Sequence, residues 1–342
     1  MARILNSARM LSNIVDVPAA SGLYQRIIQS FPDGIQMAFA YGSGVIQQQG
    51  HKDPSANMID FIFVVDQPKT WHQENIKRNS KHYSFLKYLG SKNVTRIQTN
   101  YGARVYFNTL VPFENRIIKY GVISTDNLIL DLLDWDSLYV SGRLHKPVKL
   151  ICLPTSTELC SAMQINLQSA LHSAFLLLPE KFTEEELYLK IAGLSYNGDF
   201  RMTIGEDKNK VANIVKPNVP YFRHLYEHLI DNEEHVFWNK SNGTFEQYPN
   251  HVSQFHHLNL LPKAVQFGLF ELHIRNHLGK IPDMEEVIRT FAFDSFCDKH
   301  VAKSISKIVA KSSWSQSIKS AFTAGIMKSV KYSSLRQDWF GD

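Results

Sequence analysis

Gln36-Met37-Ala38-Phe39-Ala40-Tyr41-Gly42-Ser43-Gly44, followed downstream by Met58-Ile59-Asp60-Phe61-Ile62-Phe63, is the stretch on which the reading of this chain turns. Gln36 to Ala40 has the length and apolar character of a short buried strand, and it exits into two glycines flanking a serine. Glycines at a strand exit permit a sharp turn and let backbone N–H groups approach a phosphate, while the Ser43 hydroxyl adds a donor. The same Gly-Ser-Gly is also ordinary turn chemistry. Asp60 adds a second observation. It sits in an apolar run, where an unpaired carboxylate is costly, so it calls for a metal ion, a cationic partner or a strand end facing water. A phosphate-cradling turn and a metal-binding acid on the next strand point together to chemistry on a nucleoside triphosphate.

Working outward, 342 residues with 44% hydrophobic content suit a globular protein of two domains. No apolar stretch approaches the roughly 20 residues needed to cross a bilayer, so a membrane-spanning chain is not expected. A formal net charge of +5 favours an anionic partner, whether nucleotide, nucleic acid or acidic lipid surface. Cys152, Cys160 and Cys297 are odd in number and lack metal-ligand spacing, which suits buried thiols in a reducing compartment. Residues 1–14 carry Arg3 and Arg9 and no acid, as an organelle-import presequence does and as a frayed terminus also can.

Along the chain, helices are expected over Leu23 to Ser30 and from Pro68, where Trp71 and Asn75 share a face, and over Thr125 to Leu138. Strands are expected around Val105 to Phe107 and Ile117 to Ile123, which with the opening pair makes a mixed α/β domain over 15–155. Helical patterns dominate a second domain over 156–298, with a capping box at Thr183-Glu184-Glu185-Glu186 and a hairpin turn at Asn242-Gly243. Tyr196 to Val211 reads as apolar strand residues alternating with charges. Lys208 and Lys210 after Gly205-Glu206-Asp207 either hold a phosphate or flank a solvated hairpin tip. Residues 299–342 form a basic amphipathic segment. From Lys303 to Arg336 it has Lys303, Lys307, Lys311 and Lys319 with no acid, interleaved with Ile305, Val309, Trp314, Ile318 and Phe322. Such a helix lies in an anionic headgroup layer, packs on the protein's own core, or binds nucleic acid.

The Gly-Ser turn and the acid on the following strand resemble the nucleotidyltransferase superfamily signature, with one departure: Ile62 stands where the superfamily's second metal-binding acid belongs. Asp66, about 20 Å further along extended chain, is too far to share an ion with Asp60. Phe39 to Val45, Met58 to Phe61, His82 to Leu86, Lys119 to Ile123, Leu138 to Pro147 and Leu194 to Met202 are together similar to the mitochondrial translocator assembly and maintenance family, the peripheral mitochondrial CDP-diacylglycerol synthases. The resemblance implies a nucleotidyltransferase domain followed by a mainly helical, winged-helix-like domain and a C-terminal amphipathic helix on the matrix face of the inner membrane. It implies transfer of CMP from CTP to phosphatidic acid, giving CDP-diacylglycerol and pyrophosphate for cardiolipin synthesis, with Mg²⁺ as cofactor and no nucleic acid partner. On that basis Tyr41, Gly42, Ser43, Gly44 and Lys119 are expected to bind nucleotide, and Asp60 to hold Mg²⁺. Arg201, Lys208 and Lys210 are expected at nucleotide or lipid phosphate. Ser43, Asp60 and Asp199 are the expected catalytic residues, Asp199 supplying the missing carboxylate across a domain cleft. The alternatives are an RNA nucleotidyltransferase and a non-catalytic assembly factor for protein translocase.

Overall fold

The computed structural model describes residues 21–46, 57–204, 207–248, 250–276 and 282–324. The presequence-like 1–14 and the end of the basic segment lie outside the described residues. Two compact units are interleaved in the chain. Of the described residues, one takes those up to Ile129, Pro147–Ser161 and those from Ser312 onward, and the other takes Leu130–Lys146 and those within Ala162–Lys311. The fold class is mixed α/β, and among the described residues no helix is long and apolar enough to cross a membrane.

The first unit is built on α1 (Ser21–Gln29), β1 (Ile35–Tyr41), β2 (Ile59–Val65), α2 (Pro68–Arg78), α3 (Gly90–Asn100), β3 (Tyr106–Phe113), β4 (Arg116–Ser124) and β5 (Lys149–Cys152). The sheet order is β3-β4-β2-β1-β5, with β2 and β4 parallel and the other pairs antiparallel. Strand alternation sends Ile59, Phe61, Phe63 and Val65 of β2 into a core with Tyr24, Phe31, Trp71 and Tyr120. Asp60, Ile62 and Val64 therefore belong to the opposite face. Trp71 and Asn75 are buried, as the expected α2 face requires; Asn75 donates to the hydroxyls of Tyr83 and Tyr120, and His72 bonds Tyr83 and Gln98. Burial lowers His72 to a pKa of about 4, so this network is neutral at physiological pH.

After β4 comes α4 (Thr125–Asp134), which stops short of the expected Leu138. The chain turns through positive φ at Trp135 and Leu138, a conformation costly for large side chains. Buried Asp131 holds it there by accepting from the N–H groups of Ser137, Val140 and Ser141, and Asn166 accepts from the Trp135 indole. The second unit continues with α5 (Ser141–Leu144), α6 (Thr157–Leu176), β6 (Lys181–Thr183), α7 (Glu184–Gly193), α8 (Arg201–Ile204), α9 (Lys210–Val215), α10 (Val219–Ile230), β7 (Val236–Asn239), β8 (Thr244–Gln247), α11 (His251–Asn259), α12 (Lys263–Asn276), α13 (Met284–Ala292) and α14 (Cys297–Ala324). The Thr183/Glu186 capping box and the β7–β8 hairpin form as expected. Tyr196 to Val211 does not. Its described residues form turns, α8 and the start of α9 rather than alternating strand, because Gly198 turns at φ +91° and the Asp199 carboxylate captures the Arg201 N–H.

Helix α14 separates faces that the sequence pattern had merged. Ile305 and Val309 are buried in the protein's own core, and Lys303, Lys307 and Lys311 are exposed. Trp314, Ile318 and Phe322 continue that exposed row at three- and four-residue steps. Lys319 does not join the outward lysines. It is 5% exposed and donates to the carbonyls of Gln98 and Tyr101, while Gln316 accepts from Ala103 N–H.

Candidate active site

Strand register assembles the first half of the site. Tyr41 pairs with Asp60 across β1 and β2, and Asp60 pairs with Lys119 across β2 and β4, so the three form one row on the sheet face away from the α1/α2 core. At the end of β1, Gly42 takes φ +84°, and Val45 and Ile46 N–H groups close the turn by donating to its carbonyl. A Cβ on Gly42 would lie 3.4 Å from Asp60 Oδ2, and one on Gly44 would lie 2.4 Å from the Met58 carbonyl. Glycine is thus required for the turn to fold down against the β2 carboxylate. Ser43, half-buried, sits at its crest.

Asp60 is about one-fifth exposed. Its Oδ1 lies 3.3 Å from Lys119 Nζ yet accepts no hydrogen bond. The Lys119 ammonium also sits 4.9 Å from the Phe107 ring centroid. A carboxylate oxygen with unused acceptor capacity beside a glycine cradle fits a Mg²⁺ site, since Mg²⁺ is commonly held by one or two carboxylates together with substrate phosphates and water. The next row explains the absence of a second acid. Phe39, Ile62, Gly121 and Phe107 are register neighbours, and a Cβ on Gly121 would sit 2.6 Å from Phe107 and 2.9 Å from Ile62. Ile62 fills the space that Gly121 leaves, and a carboxylate there would be buried in an apolar row.

A second group forms within the other unit. Asp199, 5% exposed, takes Arg201 Nε and Nη2 in a two-pronged ion pair, the shorter contact being 2.6 Å. Burial pushes the Asp199 carboxyl up, but the Arg201 hydrogen bonds and charge outweigh it and hold it below the usual carboxylate range. Arg143 packs 4.0 Å over the Tyr139 ring, and Lys146 and Lys210 lie 5.2 and 5.8 Å from the Tyr196 ring. Lys146 donates to Ser195 Oγ at 2.9 Å and to the Gly142 carbonyl. Burial, then the charges of Arg143 and Lys210, lower its pKa to about 7. Arg143, Arg201, Lys210 and the Lys146 amine, grouped with one already paired carboxylate, make a natural anion site.

These features can be set against known proteins. The family model described as "Phosphatidate cytidylyltransferase, mitochondrial" matches residues 24–338. The chain belongs to this family. It is 50% identical over 313 residues to the Xenopus laevis mitochondrial phosphatidate cytidylyltransferase, covering 91% of this chain and 92% of that protein. The Danio rerio protein of the same name is 50% identical over 322 residues, 93% of this chain and 95% of its own length. The Caenorhabditis elegans protein is 42% identical over 318 residues, covering 93% and 98%.

Within this cytidylyltransferase, the structure brings together Tyr41, Gly42, Ser43, Gly44, Asp60 and Lys119 in one unit, and Asp199, Arg201 and Lys210 in the other. Lys208 is exposed, and no described contact ties it to Arg201 or Lys210. Gly205 and Glu206, the expected hairpin tip, lie outside the described residues. Arg143 and Lys146 were missed as candidates, although both stand in the Leu138 to Pro147 string that carries the family resemblance. Their signal was a basic pair three residues apart around a short helix, which becomes informative only once Asp131 and Asn166 fold that loop against Ser195.

Proposed function

We propose that this chain transfers CMP from CTP to phosphatidic acid, releasing CDP-diacylglycerol and pyrophosphate, with the triphosphate at the Tyr41–Gly44 turn. The observation that carries this is the Tyr41–Asp60–Lys119 row beneath the glycine turn, in a chain of this family. A phosphate oxygen of the lipid forms a bond to the α-phosphorus as the bond to the departing pyrophosphate breaks. Backbone N–H groups and the Ser43 hydroxyl orient the triphosphate, and Lys119 offsets charge on it. Asp60 would hold Mg²⁺, which supplies further charge neutralisation on the phosphates. In this reading the Arg143, Lys146, Arg201 and Lys210 group takes a nucleotide or lipid phosphate, and Asp199 holds Arg201 in place. Lys208 is a peripheral contributor of charge.

The lipid substrate supports a peripheral attachment to the matrix face of the mitochondrial inner membrane, feeding cardiolipin synthesis, and the three-stranded β6-β8-β7 sheet among the helices supports a winged-helix-like arrangement for the helical unit. Trp314, Ile318 and Phe322, 52 to 66% exposed, and the lysines that precede them suit an anionic lipid surface. The test is Asp60→Asn assayed with CTP, phosphatidic acid and Mg²⁺. The expected result is loss of lipid-dependent pyrophosphate release with an unchanged melting temperature. Near-normal turnover would remove Asp60 from the mechanism, and CTP consumption driven by RNA instead of lipid would replace the substrate assignment.

A further inference from the structure

A group of three histidines and a glutamate in the helical unit stands apart from everything assigned above. His172 lies on α6, Glu233 on the connection between α10 and β7, and His256 and His257 on α11. One ligand atom from each, three imidazole nitrogens and a carboxylate oxygen, all lie within 4.8 Å of one another. His172 Nδ1 is 2.9 Å from His257 Nδ1 and 3.7 Å from Glu233 Oε2, and His256 Nε2 is 3.5 Å from Glu233 Oε1. Four ligands placed tetrahedrally around zinc at its usual N and O distances are separated by about 3.3 Å. The measured separations bracket that value, so small side-chain rotations bring the set to coordination geometry.

The electrostatics favour a cation at this point. The Glu233 carboxylate is 7% exposed, and its ion-pair partners among the described residues are His172 and His256, with no Lys or Arg. A buried carboxylate facing only imidazoles has no permanent counter-charge, and a dication accepted by all four groups supplies one. Two of the four ligands are also held by neighbours outside the group. His257 Nε2 lies 3.4 Å from Ser253 Oγ, and Glu233 Oε1 accepts the His235 backbone N–H at 3.1 Å. Such outer hydrogen bonds fix ligand orientation in metal sites. The Phe175 ring closes one side, 6.4 Å from the His172 ring and 5.4 Å from that of His257.

We propose that His172, Glu233, His256 and His257 bind a transition-metal dication, best suited to Zn²⁺, that ties α6, the α10–β7 connection and α11 together. Three imidazoles and one carboxylate are borderline ligands suited to zinc and poor ones for Mg²⁺, which separates this site from the one at Asp60. With four protein ligands the coordination shell is filled by the chain, as in structural zinc sites, and His256 stands at its solvent edge.

The test uses the untagged full-length chain, stripped with a chelator and titrated with Zn²⁺ alone. The expected result is about one zinc retained per chain after gel filtration, a rise of several degrees in melting temperature, and tetrahedral visible bands when Co²⁺ replaces zinc. His256→Gln, at the most exposed ligand, should lower zinc retention at least about tenfold, whereas Asp60→Asn should retain zinc fully. A stripped wild-type chain that regains neither zinc nor melting temperature overturns the proposal, as does zinc retention equal to the wild type in both His256→Gln and a His172→Gln/His257→Gln variant. Because the wild-type titration stands alone, misfolding of a variant does not rescue the idea.

Discussion

Lys119 Nζ stands 3.3 Å from Asp60 Oδ1 across the parallel β2–β4 pair, in the one register that puts both side chains on the same face as the Tyr41–Gly44 turn. The pairing sets the carboxylate beside a cation that can also meet the phosphates of an arriving triphosphate. A charge-assisted hydrogen bond is worth about 1.5–3 kcal/mol, so Lys119→Ala should lower kcat/KM for CTP roughly 10- to 100-fold. Steady-state kinetics at varied CTP check this, and unchanged kcat and KM would remove Lys119 from nucleotide binding.

Asp199 was the sequence candidate for a second metal carboxylate, and its oxygens are taken by Arg201. Asp199→Asn should therefore lower kcat/KM by loosening Arg201 while leaving the Mg²⁺ concentration dependence as in the wild type. The measurement is turnover against free Mg²⁺. A large shift in half-saturation would return Asp199 to the metal.

Lys319 gives a pH signature in stability. Burial lowers its pKa from 10.5 to about 7, although it keeps two carbonyl acceptors. In the unfolded chain the amine holds its proton up to the ordinary lysine range, so between those values the unfolded state binds more protons. This group's contribution to stability therefore rises with pH from about 7 towards 10.5 and is flat below. Urea unfolding of the wild type and Lys319→Met from pH 7 to pH 10 should show a slope that the variant lacks; parallel curves would mean that Lys319 is charged in the fold.

The Trp314, Ile318 and Phe322 row makes a surface prediction. Replacing all three with Ser should reduce co-sedimentation with cardiolipin-containing vesicles at least about tenfold, given the apolar area involved. Melting temperature should hold, because all three side chains are more than half exposed. Binding equal to the wild type would move the membrane contact elsewhere.

Much of this was legible locally. The apolar run ending in Gly-Ser-Gly, the isolated acid on the next strand, the capping box at Thr183 and the Asn-Gly hairpin are short-range signals, and each formed. The reading failed where backbone conformation depends on distant partners. Tyr196 to Val211 alternates like a strand, yet a positive φ at Gly198 and the Asp199 carboxylate bend it into turns and short helices. Likewise α4 ends early because Asp131 bonds the following loop.

The sequence by itself determined the chemistry available: a glycine turn able to approach phosphate, one strand carboxylate, an empty second-acid position and the family to which these belong. Tertiary structure decided what stands next to what. Register alone placed Lys119 beside Asp60, and long-range packing gathered Arg143 and Lys146 with Arg201 and Lys210. The same packing turned Lys319 inward while leaving Phe322 outside. Periodicity reveals which face a residue occupies, but the neighbour across that face is set by contacts between segments far apart in the chain.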